Sequence, residues 1–463
     1  MCKNKRAVCI EKIVPGGDGF AVSNGKVVFV PYSAPGDEVL VSLYEEKKDY
    51  CRGMISAITK PSPVRHKPPC PYFFDPDKKA RYKEGYYYCG GCDFQHITYA
   101  EQMRIKEQIL KESLRSIGGF HTLSIDPIKG MPDPWRYRNK IQLPVAKSGG
   151  KILIGFYKPR SHTIVDSNDC LIQDTRATKV VEAIRTLLVR FRLEPYQEHK
   201  HSGWLKHILL RTARFSDSVQ LMLITRTGDF ARKKLFIRDL VQQVPLVSSI
   251  YQNINPGKTN VIVGSKTLHL WGEQYCEERI GPVRYYLEPD AFFQVNPEQT
   301  EQLYRTVSGT LALNGTETLY DLYCGSGGIG LYCAKQAGRV IGIDDSKASI
   351  RAAQMNARIN AITNARFIRS DAQEYVKSIK KDPHSRSLII LDPPRKGCSD
   401  KLLTTLARLR FPIMYVSCNP ATLARDMALL AAKGYQSVKI VPFDFFPQTA
   451  HIETMVFLVH AGH

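Results

Sequence analysis

The stretch Thr318-Leu319-Tyr320-Asp321-Leu322-Tyr323-Cys324-Gly325-Ser326-Gly327-Gly328-Ile329-Gly330-Leu331 constrains the fold more than any other part of the chain. It reads as a strand, an aspartate and a glycine-rich turn leading into a helix. Such a turn lets the backbone come close to a ligand. Gly325, Gly327 and Gly330 satisfy G-x-G-x-x-G, a spacing open to NAD, to a methyl donor or to tight packing alone. Strand-like runs follow at Val340–Ile343, Ala365–Ile368, Leu388–Leu391 and Ile413–Val416, separated by helix-like segments. That alternation implies a mostly parallel sheet with helices on its faces.

In open α/β sheets ligands sit beyond the carboxyl ends of the strands. Asp321, Asp344, Asp371 and Asp392 all fall at such ends. One aspartate there is as readily a helix cap, but four in register point to a bound nucleoside. Asp344 is positioned to accept from two ribose hydroxyls and Asp371 to meet an adenine. Asp392-Pro393-Pro394 disfavours NAD and is similar to the fourth motif of S-adenosylmethionine-dependent methyltransferases.

The chain of 463 residues has room for two or three domains. Its net charge of +21 is uneven: residues 1–285 carry a balance of +17 and the remainder +4. A basic front half suits a polyanion, and nucleic acid is the natural partner because Lys and Arg displace counterions from phosphates. No apolar run approaches the roughly 20 residues of a membrane span, and no signal-peptide stretch follows the basic start. A soluble cytoplasmic protein is expected, with no membrane partner and no obligate protein partner. Residues 1–60 hold turn signals at Gly16-Gly17-Asp18-Gly19 and Ser23-Asn24-Gly25 between short strand-like runs, the pattern of a small β-barrel. Tyr99 to Leu114 reads as an amphipathic helix, and residues 125–280 as a mixed α+β region.

Two further motifs carry chemistry. Ser417-Cys418-Asn419-Pro420 follows the fifth strand, and His451-Ile452-Glu453 opens the last one. With Phe292-Phe293-Gln294-Val295-Asn296, they make the chain resemble the RNA 5-methyluridine methyltransferases over nearly its whole length. It looks most like the ribosomal-RNA branch. The resemblance implies three domains: an OB-like β-barrel of the TRAM type over 1–60, a central α+β domain with a cysteine-cluster loop over 61–285, and a Rossmann-like methyltransferase domain over 286–463. It implies methylation of carbon 5 of a uridine, most specifically in large-subunit (23S) ribosomal RNA. Carbon 5 of uracil is a poor nucleophile. A thiolate that adds to carbon 6 makes carbon 5 electron-rich, and a base then removes the carbon 5 proton. By resemblance Cys418 is that nucleophile and Glu453 that base, and Arg395 is a candidate to steady charge on the uracil carbonyl. The methyl donor, S-adenosylmethionine, is expected at Gln294, Tyr323, Gly328, Asp344, Asp371 and Asp392. Asp344 departs from the glutamate usual in the family.

Cys89-Gly90-Gly91-Cys92 has a spacing that lets two thiolates reach one metal centre. With Cys70 and Cys170 it is similar to the family's four ligands to a [4Fe–4S] cluster. An insertion from Pro71 to Tyr88 separates Cys70 from Cys89, where the family's gap is short. Zinc on four cysteines is the alternative. Basic and aromatic residues interleave at Lys78–Lys83, Tyr86–Tyr88 and Trp135–Lys140, a pattern suited to RNA, in which charge tracks the backbone and rings stack on bases. Three other readings compete: the same chemistry on transfer RNA, an adenine amino-methyltransferase, and a non-catalytic RNA-binding assembly factor.

Overall fold

The computed structural model describes residues 5–77, 87–228, 230–380 and 386–462. The Lys78–Lys83 run and Tyr86 lie outside the described residues. Among those described, no helix is long and apolar enough to cross a membrane.

The C-terminal sheet has seven strands. Their spatial order is Ala365–Arg369, Arg339–Asp344, Thr318–Leu322, Ser387–Leu391, Ile413–Ser417, Glu453–His460 and Tyr435–Phe443. The first five are mutually parallel. Glu453–His460 runs antiparallel to both of its neighbours. Ser387–Leu391 and Ile413–Ser417 are buried at every residue, as parallel strands covered on both faces must be. That is why they read as unbroken apolar runs. Strand order reverses between Thr318–Leu322 and Ser387–Leu391, and such a switch point opens a crevice for a ligand.

Residues 5–60 form a six-stranded sheet, antiparallel except where Lys26–Val30 lies parallel to Tyr50–Lys60. Alternate residues of Glu38–Glu46 and Tyr50–Lys60 are buried, the period-2 signature of a sheet with one covered face. The strand Lys5–Cys9 also packs near Gly19–Ser23, so the sheet curls on itself. A second seven-stranded sheet spans Lys140–Gly272. The helices Thr175–Arg190 and Lys233–Gln243 share its core.

The helix Tyr99–Ser116 buries a stripe of Gln102, Ile105, Lys106, Ile109, Leu110, Ser113 and Leu114. The three-and-four spacing is that of one helix face. Leu110 and Leu114 join Leu402, Leu406, Leu423 and Met427 in the core of the C-terminal sheet. A helix that ends a quarter of the way along the sequence is thus built into the core of the last sheet. Lys106 and Asp444, both wholly buried, make an ion pair at 2.5 Å, and Lys106 also donates to the Phe446 carbonyl at 3.1 Å. Removing one member of a buried pair strands the other charge away from water, at a cost of about 3–5 kcal/mol. We expect Lys106→Met to lower the thermal unfolding midpoint by several degrees and to speed proteolysis between residues 444 and 452. Limited digestion followed by mass spectrometry checks this; an unchanged midpoint and cleavage pattern would remove the ion pair as a fastener.

Candidate active site

The glycine turn is held open by tight local geometry. Asp321, next to last in Thr318–Leu322, accepts the Gly330 amide at 2.9 Å. Tyr323 has φ 69°, and Gly325 and Gly327 have φ 54° and 86°. A Cβ at Gly328 would stand 2.3 Å from the Tyr304 hydroxyl oxygen, and one at Gly330 would stand 2.8 Å from Asp321 Oδ2. Glycine is therefore required at both for close packing, while the left-handed Gly325 and Gly327 turn the chain. Asp344 accepts the Gly325 amide at 3.0 Å and the Ser346 amide at 2.9 Å, which braces the turn from the next strand.

Asp371 caps the helix Ala372–Lys377 by accepting the Glu374 amide at 3.1 Å. The helix-cap alternative weighed for a strand-end aspartate is thus realised at this position. Tyr323 lies in electrostatic range of Asp371 and bonds Cys398. Gln294 is half-buried, two residues after the exposed Phe292 and two before Asn296. Asn296 is fully buried, caps the helix Pro297–Leu311 and donates to the Phe445 carbonyl at 3.1 Å.

Strand register brings the two predicted catalytic residues together. Ser417 and Thr454 form the last pair of the antiparallel ladder, and Cys418 and Glu453 flank that pair within electrostatic range of each other. Burial pushes the Cys418 thiol up to about 11; Glu453 and Asp392 add to the shift and Arg395 opposes it. Burial also holds the Glu453 carboxyl well above the usual carboxylate range, with Asp392 raising it further and Arg395 opposing. Asp392 and Arg395 therefore lie within electrostatic range of both residues. Asp321 is pushed up to about 7 by burial, with Asp392 and Asp344 nearby. Three carboxylates thus crowd the crevice at the switch point.

The loop that carries Asp392 and Arg395 is pinned to the helix Pro420–Ala431. Asp426, wholly buried, accepts the Cys398 amide at 2.8 Å and the Tyr415 hydroxyl at 2.6 Å. Arg425 donates to the Lys396 and Cys398 carbonyls. Asn419, which follows Cys418, caps the same helix and donates to the Arg395 carbonyl at 3.1 Å.

The comparisons bear on this geometry. The family described as tRNA (uracil-5-)-methyltransferase matches residues 279–461. An uncharacterized RNA methyltransferase of Halalkalibacterium halodurans is 38% identical over 97% of this chain and 96% of its own. One of Clostridium tetani is 37% identical over 96% and 94%. A solved structure, the Pyrococcus abyssi tRNA (uracil-54, C5)-methyltransferase in complex with S-adenosyl-L-homocysteine, superposes with a TM-score of 0.76 at 29% identity, over 98% of this chain and 99% of that one. The chain belongs to the RNA (uracil-5-)-methyltransferase family. It is an enzyme that methylates carbon 5 of uracil in RNA with S-adenosylmethionine.

The crowded carboxylates suit such a methyltransferase, because its donor is a cation and its sulfonium and ammonium groups answer negative charge. Sequence reading gave His451 no role beyond its motif and missed the contact between Gln102 and Gln448. The ring of His451 stands 3.4 Å from an Arg395 nitrogen. Desolvation, then Arg395, Lys106 and Arg138, push it down to about 4, so it is neutral at physiological pH. Gln102 and Gln448 bond each other twice, side chain to side chain and amide to side chain. Only the spatial approach of residues far apart in sequence could reveal that pair.

Residues read as RNA-facing turn inward instead. Arg136 pairs with Asp169 at 2.6 Å, and the buried Tyr137 donates to the Pro447 carbonyl at 3.0 Å. The Tyr87 hydroxyl donates to the Ile164 carbonyl at 2.8 Å, and Tyr88 is buried.

Cys70, Cys89, Cys92 and Cys170 are neighbours. Burial raises Cys89 to about 12 and Cys92 well above its ordinary value, and the other thiols of the group contribute to both shifts. Among the described residues, no three His, Cys, Asp or Glu side chains are gathered closely enough to hold one metal ion.

The raised thiol gives a direct test. Cys418 stays protonated through neutral pH, and the thiolate is the reactive form. Alkylation of Cys418 by iodoacetamide, followed peptide by peptide, is expected to speed up about tenfold per pH unit toward the inflection near 11. Arg395→Ala should move that inflection upward. A rate already level at pH 7 would contradict the assigned environment.

Proposed function

We propose that the enzyme methylates a uridine of large-subunit ribosomal RNA through a covalent cysteine–uracil adduct. The observation that carries the chemistry is the approach of Glu453 to Cys418, just beyond the Ser417–Thr454 pair that ends the ladder. In this reading the Cys418 thiolate adds to carbon 6 of the flipped uridine. The enolate carbon 5 then takes the methyl group from the sulfonium, and S-adenosylhomocysteine leaves. Glu453 removes the carbon 5 proton, and the carbon–sulfur bond breaks to restore the uracil and free Cys418. The raised affinity of Glu453 for a proton suits that step. Arg395 steadies the charge on the uracil carbonyl. The methyl donor rests against Gln294, Tyr323, Gly328, Asp344, Asp371 and Asp392, with the glycine turn under its nucleoside.

The six-stranded sheet over residues 5–60 is proposed as the TRAM-type RNA-binding barrel, followed by the central and methyltransferase domains with boundaries near 61 and 286. Its likeness to TRAM and the four cysteines support the ribosomal target. The transfer-RNA reading has its own support, because the Pyrococcus abyssi enzyme, whose described target is tRNA, matches from end to end. Nucleoside mass spectrometry after incubation with unmodified ribosomal and transfer RNA transcripts decides between them. We expect 5-methyluridine in the ribosomal transcript and none with Cys418→Ala. Glu453→Gln should accumulate a protein–RNA adduct that survives denaturing electrophoresis. Methylation confined to transfer RNA would overturn the target, and turnover by Cys418→Ala would overturn the chemistry.

We further propose that Cys70, Cys89, Cys92 and Cys170 hold a [4Fe–4S] cluster as a structural fastener. A single zinc ion needs all four sulfurs about 2.3 Å from one point, whereas a cubane takes each thiolate on a different iron and so suits thiols that are neighbours without converging. When bound, the cluster cross-links the Cys70–Cys92 segment to the Cys170 turn. Protein purified anaerobically is expected to be brown and to contain iron, with both lost in Cys89→Ser. Colourless protein with one bound zinc would refute the assignment.

A further inference from the structure

A cleft of about 640 Å³ opens where three parts of the chain meet. The N-terminal sheet contributes Asp18, Tyr32 and Tyr44, the cysteine segment contributes Asp93, and the turn after Lys151–Tyr157 contributes Lys158 and Arg160. Its size falls within the roughly 300–1,000 Å³ of small-ligand sites, and the reaction described above leaves it unused.

The cleft adjoins the catalytic loop. Gly17 has a left-handed φ of +97° at its predecessor Gly16 and +91° itself, and a Cβ on Gly17 would stand 3.1 Å from the Ala450 Cβ. Asp93 Oδ2 accepts the Ala450 amide at 2.9 Å. Ala450 precedes His451 and lies three residues before Glu453. One wall of the cleft is thus hydrogen-bonded to the loop that delivers the proposed base.

The chemistry of the walls is mixed in a particular way. Tyr44 is 45% exposed and offers a ring face. Arg160 is exposed and donates to the Tyr44 hydroxyl at 3.3 Å, and Lys158 lies beside it in the same wall. The acidic side is Asp18 and Asp93. Among the described residues their side-chain hydrogen bonds engage Oδ2 of each, to Arg52 at 3.2 Å and to Ala450. Ring, cations and carboxylates are the three elements that recognise an unstacked nucleotide.

We propose that this cleft binds a second unstacked nucleotide of the substrate RNA, one whose base carries an exocyclic amine. The base stacks on Tyr44, its phosphate meets Arg160 and Lys158, and its amine donates to Asp18 or Asp93. Uracil is the weaker partner because its one N3–H is flanked by two carbonyl oxygens that a carboxylate repels, whereas adenine, cytosine and guanine each offer an N–H₂ with two hydrogens. The proposal rests on RNA being the substrate but not on which RNA it is.

Fluorescence anisotropy with the full chain tests it using short fluorescein-labelled oligouridylates, unsubstituted or carrying one adenosine, cytidine or guanosine at each position in turn. One amine-bearing base at a set distance from a uridine is expected to tighten binding about tenfold over oligouridylate. Tyr44→Ala and Arg160→Ala, both at exposed side chains, should each erase most of that margin while circular dichroism stays unchanged. Equal affinity for every oligomer, or a margin that persists in both variants, overturns the proposal. Binding is read without turnover. Discrimination among oligomers by a protein that methylates neither transcript would therefore support the cleft while removing the proposed target.

Discussion

A lysine and an aspartate, both fully shielded from water, fasten the first long helix to the segment between the last two strands of the C-terminal sheet. That segment, 444–452, has no helix or strand of its own, so its polar backbone must be satisfied by other parts of the chain. Lys106 takes the Phe446 carbonyl, Tyr137 takes that of Pro447, and the Asp93 and Phe94 amides share that of Gln448. Gln102 takes the Gln448 amide. The partners come from the cysteine segment, the helix and the strand-like run after it. Each is distant in sequence, and together they set where the chain re-enters the sheet at Glu453.

The electrostatics of the site follow from where that chain re-enters. Glu453 and Asp392 approach Cys418 in a desolvated crevice, and both work against the thiolate. Arg395 is the cation that opposes them, and its backbone is anchored by Asn419 and Thr422. Asp392 and Asp344 also lie within range of Asp321, and both raise its hold on a proton. A cation placed among the three relieves that repulsion and draws Asp321 back toward its charged form, in accord with the use of S-adenosylmethionine.

Much of the C-terminal half was legible in the sequence because its determinants are local. Buried parallel strands read as apolar runs, the glycine turn follows its strand directly, and Ser-Cys-Asn-Pro and His-Ile-Glu are short contiguous motifs. The positions that misled were those decided by distant partners. Arg136 and Tyr137 looked like an RNA-facing pair, yet one is committed to Asp169 and the other to the Pro447 carbonyl. Lys106 lay within an amphipathic helix, where a lysine ordinarily marks the wet face, and only Asp444, 338 residues away, makes its burial tolerable. A boundary drawn near residue 286 likewise parts the helix Tyr99–Ser116 from the core it joins.

The same reasoning explains why so many contacts converge on a short loop. Side chains on a strand alternate between faces, so a slip of one residue would carry Glu453 to the opposite side of the sheet from Cys418. Register in this strand is specified twice, by Ser417 opposite Thr454 on one side and Phe443 opposite Glu453 on the other. The second pairing closes a loop whose length and seating must agree with the first. A buried ion pair is costly unless its geometry is met, and the Gln102–Gln448 exchange is satisfied only in one alignment. Polar fasteners of that kind reject the slipped register far more strongly than apolar packing, which tolerates small shifts, and so hold the proposed base beside the proposed nucleophile.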